Sequence, residues 1–271
     1  MPPIILSIAG SDCSGGAGIQ ADIKTISALG GYAASVITAV TAQNTLGVQA
    51  VHPLPADIVR TQIASVMDDL QPAAIKIGMV HNADIVHTIA ECLQKYRPEF
   101  IVYDPVMIST SGRRLMTEET ILAIKEELFP LCTLITPNLS EATLLSEQNI
   151  ATITDMEQAA QELSRRYHTS ILIKGGHLSG NEMCDVLFNH FSLQNTASLS
   201  NCTFHTSPKI ESTNLHGTGC TLSSAIATFL AYGHNLDEAI RRAKAYISTA
   251  ISNGSNLRIG HGNGPLWHFS Q

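Results

Sequence analysis

The sequence predicts an α/β fold: a central, mostly parallel sheet with helices on both faces. Three observations carry this. Short apolar runs alternate with longer amphipathic segments through most of the 271 residues, the pattern of repeated strand–helix units. The runs are rich in Ile, Leu and Val with little polar alternation, as strands covered on both faces require. A glycine or polar residue stands just past several run ends, at Asp12, Gly78, Asp104, Asn138 and Lys174. In open α/β sheets the ligand crevice lies outside those carboxyl ends, so these five are candidates to share one rim.

The elements follow in order. Residues 4–8 form a β-branched apolar run and read as a buried strand. The glycine-rich turn Ser14-Gly15-Gly16-Ala17-Gly18 follows, and Ile19, Ile23 and Ile26 then recur at helical spacing until Gly30-Gly31 stops the helix. Residues 33–40 read as a strand and 56–70 as a helix. Residues 73–77 are a strand, 83–95 a helix, 100–103 a strand and 118–129 a helix. Residues 133–135 are a strand, a helix should start near Glu141, 155–167 is a helix, and 171–173 is a strand. Residues 185–188 and 203–205 read as short additional antiparallel strands. Two apolar stripes close the chain, one through Leu222, Ala225, Ile226, Phe229 and Leu230, the other through Leu236, Ala239, Ile240, Ala243, Ile247 and Ile251. Without a repeat or a linker, residues 1–271 read as one domain.

Composition narrows the function classes. With 44% hydrophobic and 14% charged residues the chain is too apolar to be disordered. A formal charge of -7 without a basic stripe argues against a nucleic-acid binder. Backbone N–H groups and one or two lysines are enough to hold a phosphorylated ligand. The six cysteines contain no C-x-x-C pair, which excludes the common zinc and redox spacings and suits a reducing cytoplasm. The N-terminus lacks a basic n-region, and no apolar run reaches ~18 residues, so neither a signal peptide nor a membrane span is expected.

Four segments offer chemistry, each beside a plainer reading. Asn214-Leu215-His216-Gly217-Thr218-Gly219-Cys220 opens a helix. Unpaired amides at the positive end of the dipole make an anion site, and a cysteine in that first turn is expected to have a lowered pKa. The plainer reading is a glycine cap with a structural cysteine. The loop from Gly10 to Gly18 lacks the Lys-Ser/Thr of a phosphate-binding loop and the G-x-G-x-x-G spacing. It is either a close approach to a small planar ligand or a tight turn. Asp104 and Glu141 either hold Mg²⁺ through waters or, in the case of Glu141, serve a helix cap. Lys174, followed by two glycines and His177, either meets a nucleotide phosphate or pairs with an acid.

Together these segments resemble the ribokinase-like vitamin kinases, in particular the hydroxymethylpyrimidine/phosphomethylpyrimidine kinases of thiamine biosynthesis. The matching stretches run in order: AGSDCSGGAGIQADIKT from Ala9, TAVTAQNT from Thr38, IKIGM from Ile75, DPVM from Asp104, ITPNLSEA from Ile135, IKGGH from Ile173, HGTGCT from His216 and GHGNGP from Gly260. The resemblance implies a ribokinase-like kinase that uses ATP and Mg²⁺ to phosphorylate 4-amino-5-hydroxymethyl-2-methylpyrimidine and then its monophosphate. It implies Cys220 as the catalytic residue, an anion hole at Gly217, Thr218 and Gly219, and Lys174 in catalysis and at the nucleotide with Asn138 and Thr213. It places Asp104 and Glu141 near Mg²⁺, and Ala17, Asp22, Gln43, Met79 and Val106 around the pyrimidine. A homodimer in the cytoplasm is implied by the same analogy. Gln43 has its own rationale: a carboxamide accepts from an exocyclic amine while donating to the neighbouring ring nitrogen. Cys13 and Leu215 depart from the family's usual Pro and Thr. The alternatives are a pyridoxal kinase and a vitamer-binding protein without catalysis.

Overall fold

The computed structural model describes residues 1–107, 116–176, 182–191 and 202–269. His177 therefore lies outside the described residues. Among them, nine strands form one sheet: β1 (Ile4–Asp12), β2 (Tyr32–Asn44), β3 (Gly47–Pro53), β4 (Ala74–Ile77), β5 (Phe100–Tyr103), β6 (Leu134–Ile135), β7 (Ser170–Ile173), β8 (Glu182–Phe188) and β9 (Cys202–Pro208). The spatial order is β3-β2-β1-β4-β5-β6-β7-β8-β9. The central six, β2-β1-β4-β5-β6-β7, are parallel, whereas β3, β8 and β9 join antiparallel.

Alternation along each strand feeds two cores. Leu6, Ile8, Ile75 and Ile77 point to one face, and Ile5, Ala74, Val102 and Leu134 to the other. The first face is covered by α2 (Ala56–Asp69), α3 (Ala83–Tyr96), α4 (Glu118–Ala123), α5 (Leu139–Ser146) and α6 (Ile153–Tyr167). The second carries α1 (Gly18–Ala28), α7 (Thr218–Ala231) and α8 (Leu236–Gly254). Right-handed crossovers between parallel strands place helices on both faces of such a sheet.

Three local expectations need correcting. β3 was not anticipated: GVQAVHP is an edge strand, largely in solvent, and needs no apolar alternation. The helix expected over 118–129 ends as α at Ala123 and continues as a π turn (Ile124–Leu128) and a 3₁₀ turn (Phe129–Leu131). Pro130 has no N–H with which to prolong an α-helix. Finally, α1 buries Ala21, Asp22 and Thr25 with Ile19 and Ile26, and leaves Ile23 at the surface. Ile19 and Ile26 keep the stripe in the core, and Asp22 shares that buried face through its ion pair with Lys76.

Candidate active site

The carboxyl ends of all six parallel strands open into one cavity of about 580 Å³, a size that suits small-molecule ligands. Of the residues expected around a pyrimidine, Ala17, Gln43, Met79 and Val106 line it. Asp104, Asn138, Glu141, Lys174, Gly217, Thr218, Gly219 and Cys220 do as well. The sheet order spreads them. Gln43 and Val48 belong to the β2–β3 end, Asp104, Asn138 and Lys174 to the middle, and Met183 and Ser207 to the β8–β9 end.

Two expected residues are elsewhere. Asp22 has no solvent exposure and is absent from the cavity wall. Its carboxylate lies below, 2.8 Å from Lys76 Nζ, and accepts from the Ser7 and Ser224 hydroxyls. A buried carboxylate needs that many donors. Thr213 is exposed and also off the wall.

The middle of the cavity is a charge cluster. β5 ends at Asp104, and Lys174 follows β7 after its backbone bridges to Asn138. Lys174 Nζ donates to Asp104 Oδ1 at 2.7 Å, and Thr136 Oγ1 donates to the same oxygen at 3.2 Å. The plain ion pair is thus present, with the lysine still on the wall. Burial works against its ammonium, but Asp104 and Glu141 outweigh burial and hold its pKa above the usual value. Glu141 completes a capping box on α5. Asn138 Oδ1 accepts from Glu141 N at 2.9 Å, and Asn138 N donates to Glu141 Oε2 at 2.8 Å. Burial pushes the Glu141 carboxyl up to about 7, Asp104 adds to this, and Lys174 pulls against it. The cap and the rim position therefore coexist in one residue. Two carboxyls with one ammonium leave room for more positive charge, so the pair fits a divalent cation held partly through waters and phosphates. Among the described residues no group of three or more His, Cys, Asp and Glu side chains is placed to hold a metal by itself.

The start of α7 faces this cluster. Gly217 is its N-cap at φ 87°, and a Cβ there would lie 1.9 Å from Gly16 O. A Cβ on Gly219 would lie 3.0 Å from Asp104 Oδ2 and 3.4 Å from Lys174 Nζ. Bare backbone is what brings the amides to the charge cluster. Thr221 N makes the first i→i−4 bond, to Gly217 O, and Thr218 N is taken by Leu215 O, so the Gly219 and Cys220 amides are the ones left at the helix end. Cys220 does not follow the expectation of a lowered pKa. Burial pushes its thiol up to about 11, against a downward pull from Lys76, while Asp22 and Asp104 add to the rise. Desolvation outweighs the pull of Lys76 and of the hydrogen bond from the Gly18 amide here.

The glycine loop after β1 is explained by packing. A Cβ on Gly18 would lie 2.2 Å from Gly10 O, so the turn is tight, and Gly10, Ala17 and Gly18 also line the cavity. Asp12 stands on the wall as the rim reading expects, whereas sequence reasoning missed His216 as a member of the site, although it stands inside a quoted motif. His216 Nε2 is 2.8 Å from Asp12 Oδ2 and 3.2 Å from the Gln43 carboxamide. It also missed the apolar wall of Met183, Ile210, Ile247 and Ile251 at the far end. Those residues come from β8, α8 and the stretch after β9, and no local signal links them.

A family profile described as phosphomethylpyrimidine kinase matches residues 12–267. A hydroxymethylpyrimidine/phosphomethylpyrimidine kinase of Rhizobium meliloti (strain 1021) is 47% identical over 270 residues, 99% of this chain and 98% of that protein. The crystal structure of a phosphomethylpyrimidine kinase from Clostridium difficile 630 matches with a TM-score of 0.79 at 43% identity, over 92% of this chain and 99% of that one. A Bacillus subtilis pyridoxal kinase, solved as an ADP complex, matches with a TM-score of 0.88 at 34% identity, over 99% of this chain and 98% of that one. The backbone shape is thus shared with kinases of a different vitamer, and the sequence likeness is higher to the pyrimidine enzymes. With the profile running from the end of β1 to beyond α8, the chain belongs to the phosphomethylpyrimidine kinase family.

Proposed function

We propose that this protein transfers the γ-phosphoryl group of ATP to the hydroxymethyl oxygen of 4-amino-5-hydroxymethyl-2-methylpyrimidine, and then phosphorylates the monophosphate to the diphosphate used in thiamine diphosphate synthesis. The observation that carries the reading is one cavity holding a carboxamide at one end, an apolar wall at the other and bare helix amides between. The ring sits by Gln43, Met79, Val106 and Ala17. The nucleotide base lies against Met183, Ile210 and Ile247, and the phosphates reach the start of α7.

In the reaction the hydroxymethyl oxygen bonds to the γ-phosphorus. The bond from that phosphorus to the β–γ bridging oxygen breaks, and ADP leaves with the electron pair. The amides of Gly217, Gly219 and Cys220 and the Lys174 ammonium stabilise charge on the transferring group, where most of the catalysis resides, while the Thr218 amide, expected in the same anion hole, is taken by Leu215 O. Cys220 in its thiolate form takes the hydroxyl proton, a contribution of ~10²–10⁴-fold. Asn138 and Lys174 orient the phosphates. Asp104 and Glu141 would hold Mg²⁺, which would supply neutralisation of phosphate charge.

Pyridoxal is the rival substrate, favoured by the shape likeness. Gln43 speaks against it, because a ring without an amine leaves carboxamide groups unpaired. The deciding experiment measures ATP consumption with the aminopyrimidine alcohol and with pyridoxal side by side. The aminopyrimidine is expected to be turned over with the higher kcat/KM, and equal or inverted values discard this reading. Cys220→Ala is expected to lower kcat by at least ~10²-fold with nucleotide binding retained, and near-normal turnover removes the thiol from the mechanism.

A further inference from the structure

Four side chains from three distant parts of the chain meet at the β2–β3 end of the cavity: Asp12, Thr41 and Gln43 of β2, and His216. The Gln43 carboxamide lies between two of them, 3.2 Å from His216 Nε2 on one side and 3.2 Å from Thr41 Oγ1 on the other. Its oxygen and nitrogen are nearly isosteric, so the protons of its partners decide which atom faces which side.

Two independent proton counts give the same answer. His216 Nε2 also lies 2.8 Å from Asp12 Oδ2. Burial favours protonation of Asp12, but hydrogen bonds from His216 and Ser14 outweigh it and hold the carboxyl down to about 2. A carboxylate only accepts, so Nε2 carries a hydrogen, and the amide atom beside it must accept. On the other side, Thr41 Oγ1 lies 2.9 Å from Ser11 O. That carbonyl also only accepts, so it takes the single hydroxyl hydrogen, and the amide atom beside Thr41 must donate. With nitrogen drawn toward His216, two donors face each other and one hydroxyl hydrogen serves two acceptors. A 180° turn of the carboxamide removes the donor–donor clash and frees the Thr41 hydrogen for Ser11 O alone: Oε1 faces His216, where it shares the Nε2 hydrogen with Asp12, and Nε2 donates to Thr41.

One Oε1 lone pair and one Nε2 hydrogen then remain for the cavity, in a set order. We propose that Asp12, His216 and Thr41 form an orientation clamp, which makes Gln43 read an amine beside an unprotonated ring nitrogen and reject the reversed pattern. The reversed pattern belongs to the deaminated 4-oxo pyrimidine, which shows a carbonyl beside a ring N–H. A freely turning glutamine would accept both rings by flipping. A clamped one leaves two donors and two acceptors opposed, the repulsive element that specificity requires. The inference rests on the proposed function and names three positioning residues for it.

The test compares kcat/KM for the aminopyrimidine alcohol with that for its 4-oxo analogue, in wild type and in Thr41→Val, Thr41→Ser and His216→Phe, with thermal melts to verify folding. Wild type is expected to favour the amine by at least ~10²-fold, within the range for sites that mismatch buried hydrogen bonds. Thr41→Val and His216→Phe are each expected to shrink that ratio at least ~10-fold, mainly through KM and partly through a gain on the oxo ring. Thr41→Ser keeps the hydroxyl and is expected to keep the ratio. If His216→Phe does not fold, Thr41→Val decides. An unchanged ratio in the folded variants, or an equal loss in Thr41→Ser, overturns the clamp. Wild type that turns over both rings equally overturns the clamp and leaves the kinase reading standing. Turnover of neither ring overturns both.

Discussion

Lys76 and Asp22 face each other at 2.8 Å with neither side chain reaching solvent. Burial opposes the ammonium, yet Asp22 outweighs it and holds the Lys76 pKa above its usual value. Removing one partner strands the other charge in the core. Lys76→Met is therefore expected to cost ~3–5 kcal/mol, and adding Asp22→Asn should recover much of that loss. Urea unfolding of the two singles and the double checks it, and strictly additive losses would contradict the coupling. The pair also lies under Cys220. With the thiol pushed up to about 11, the thiolate fraction grows about tenfold per pH unit below that value. If the thiolate is the base, kcat climbs toward alkaline pH, and Cys220→Ala loses the climb. A wild-type profile as flat as that of the variant rules the thiolate out. The motif around Cys220 was legible in sequence, but the thiol's environment was not, because burial depends on what packs over the helix.

Helix α7 shows how one backbone conformation serves two purposes. Gly217 and Gly233 stand just outside its two ends with φ of 87° and 85°. A Cβ at Gly217 runs into Gly16 O at 1.9 Å, whereas nothing lies within 4 Å of one at Gly233. Gly233→Ala is expected to cost only the left-handed strain, ~1–2 kcal/mol. Gly217→Ala carries the same strain and also displaces the loop that holds Ala17 and the amides of the anion site. Its kcat/KM is expected to fall ~10²–10³-fold, the scale of a lost anion-hole donor. Comparing melting temperatures and kcat/KM for both variants separates the effects, and similar kinetics in the two would refute the difference. Helix positions of this kind were readable from apolar spacing and glycine stops. The burial of Asp22 on α1 was not, because its partner Lys76 lies on β4, far away in the chain.

Across the whole molecule, the Asp12–His216 contact ties the end of β1 to the start of α7. Acid should loosen it. The Asp12 carboxyl is lowered from 3.8 to about 2 in the folded protein. Its stabilising contribution is complete above the unfolded value and disappears as pH falls from ~4 through ~2. Melting temperatures of wild type and Asp12→Asn are expected to differ at pH 5 and above, to draw together below pH ~4 and to converge as pH falls through ~2. A gap that stays constant to pH 2 would mean that Asp12 acts by shape alone. The C-terminal segment reinforces the same corner. His216 N donates to Gly264 O, and Leu215 N donates to Asn263 Oδ1.

Apolar periodicity and glycine placement were enough to predict the α/β class, most of the elements and the rim formed by the strand ends, because these follow from local chain geometry and from burial on both faces of a sheet. Motif order was enough to point to the family. The edge strand β3 stayed hidden, since an exposed strand carries no apolar pattern. Removing Asp22 and Thr213 from the wall, raising the Cys220 thiol and setting His216 against Gln43 all depended on long-range packing. Dielectric environment and hydrogen-bond partners belong to side chains brought together from separate stretches, and no local pattern encodes them.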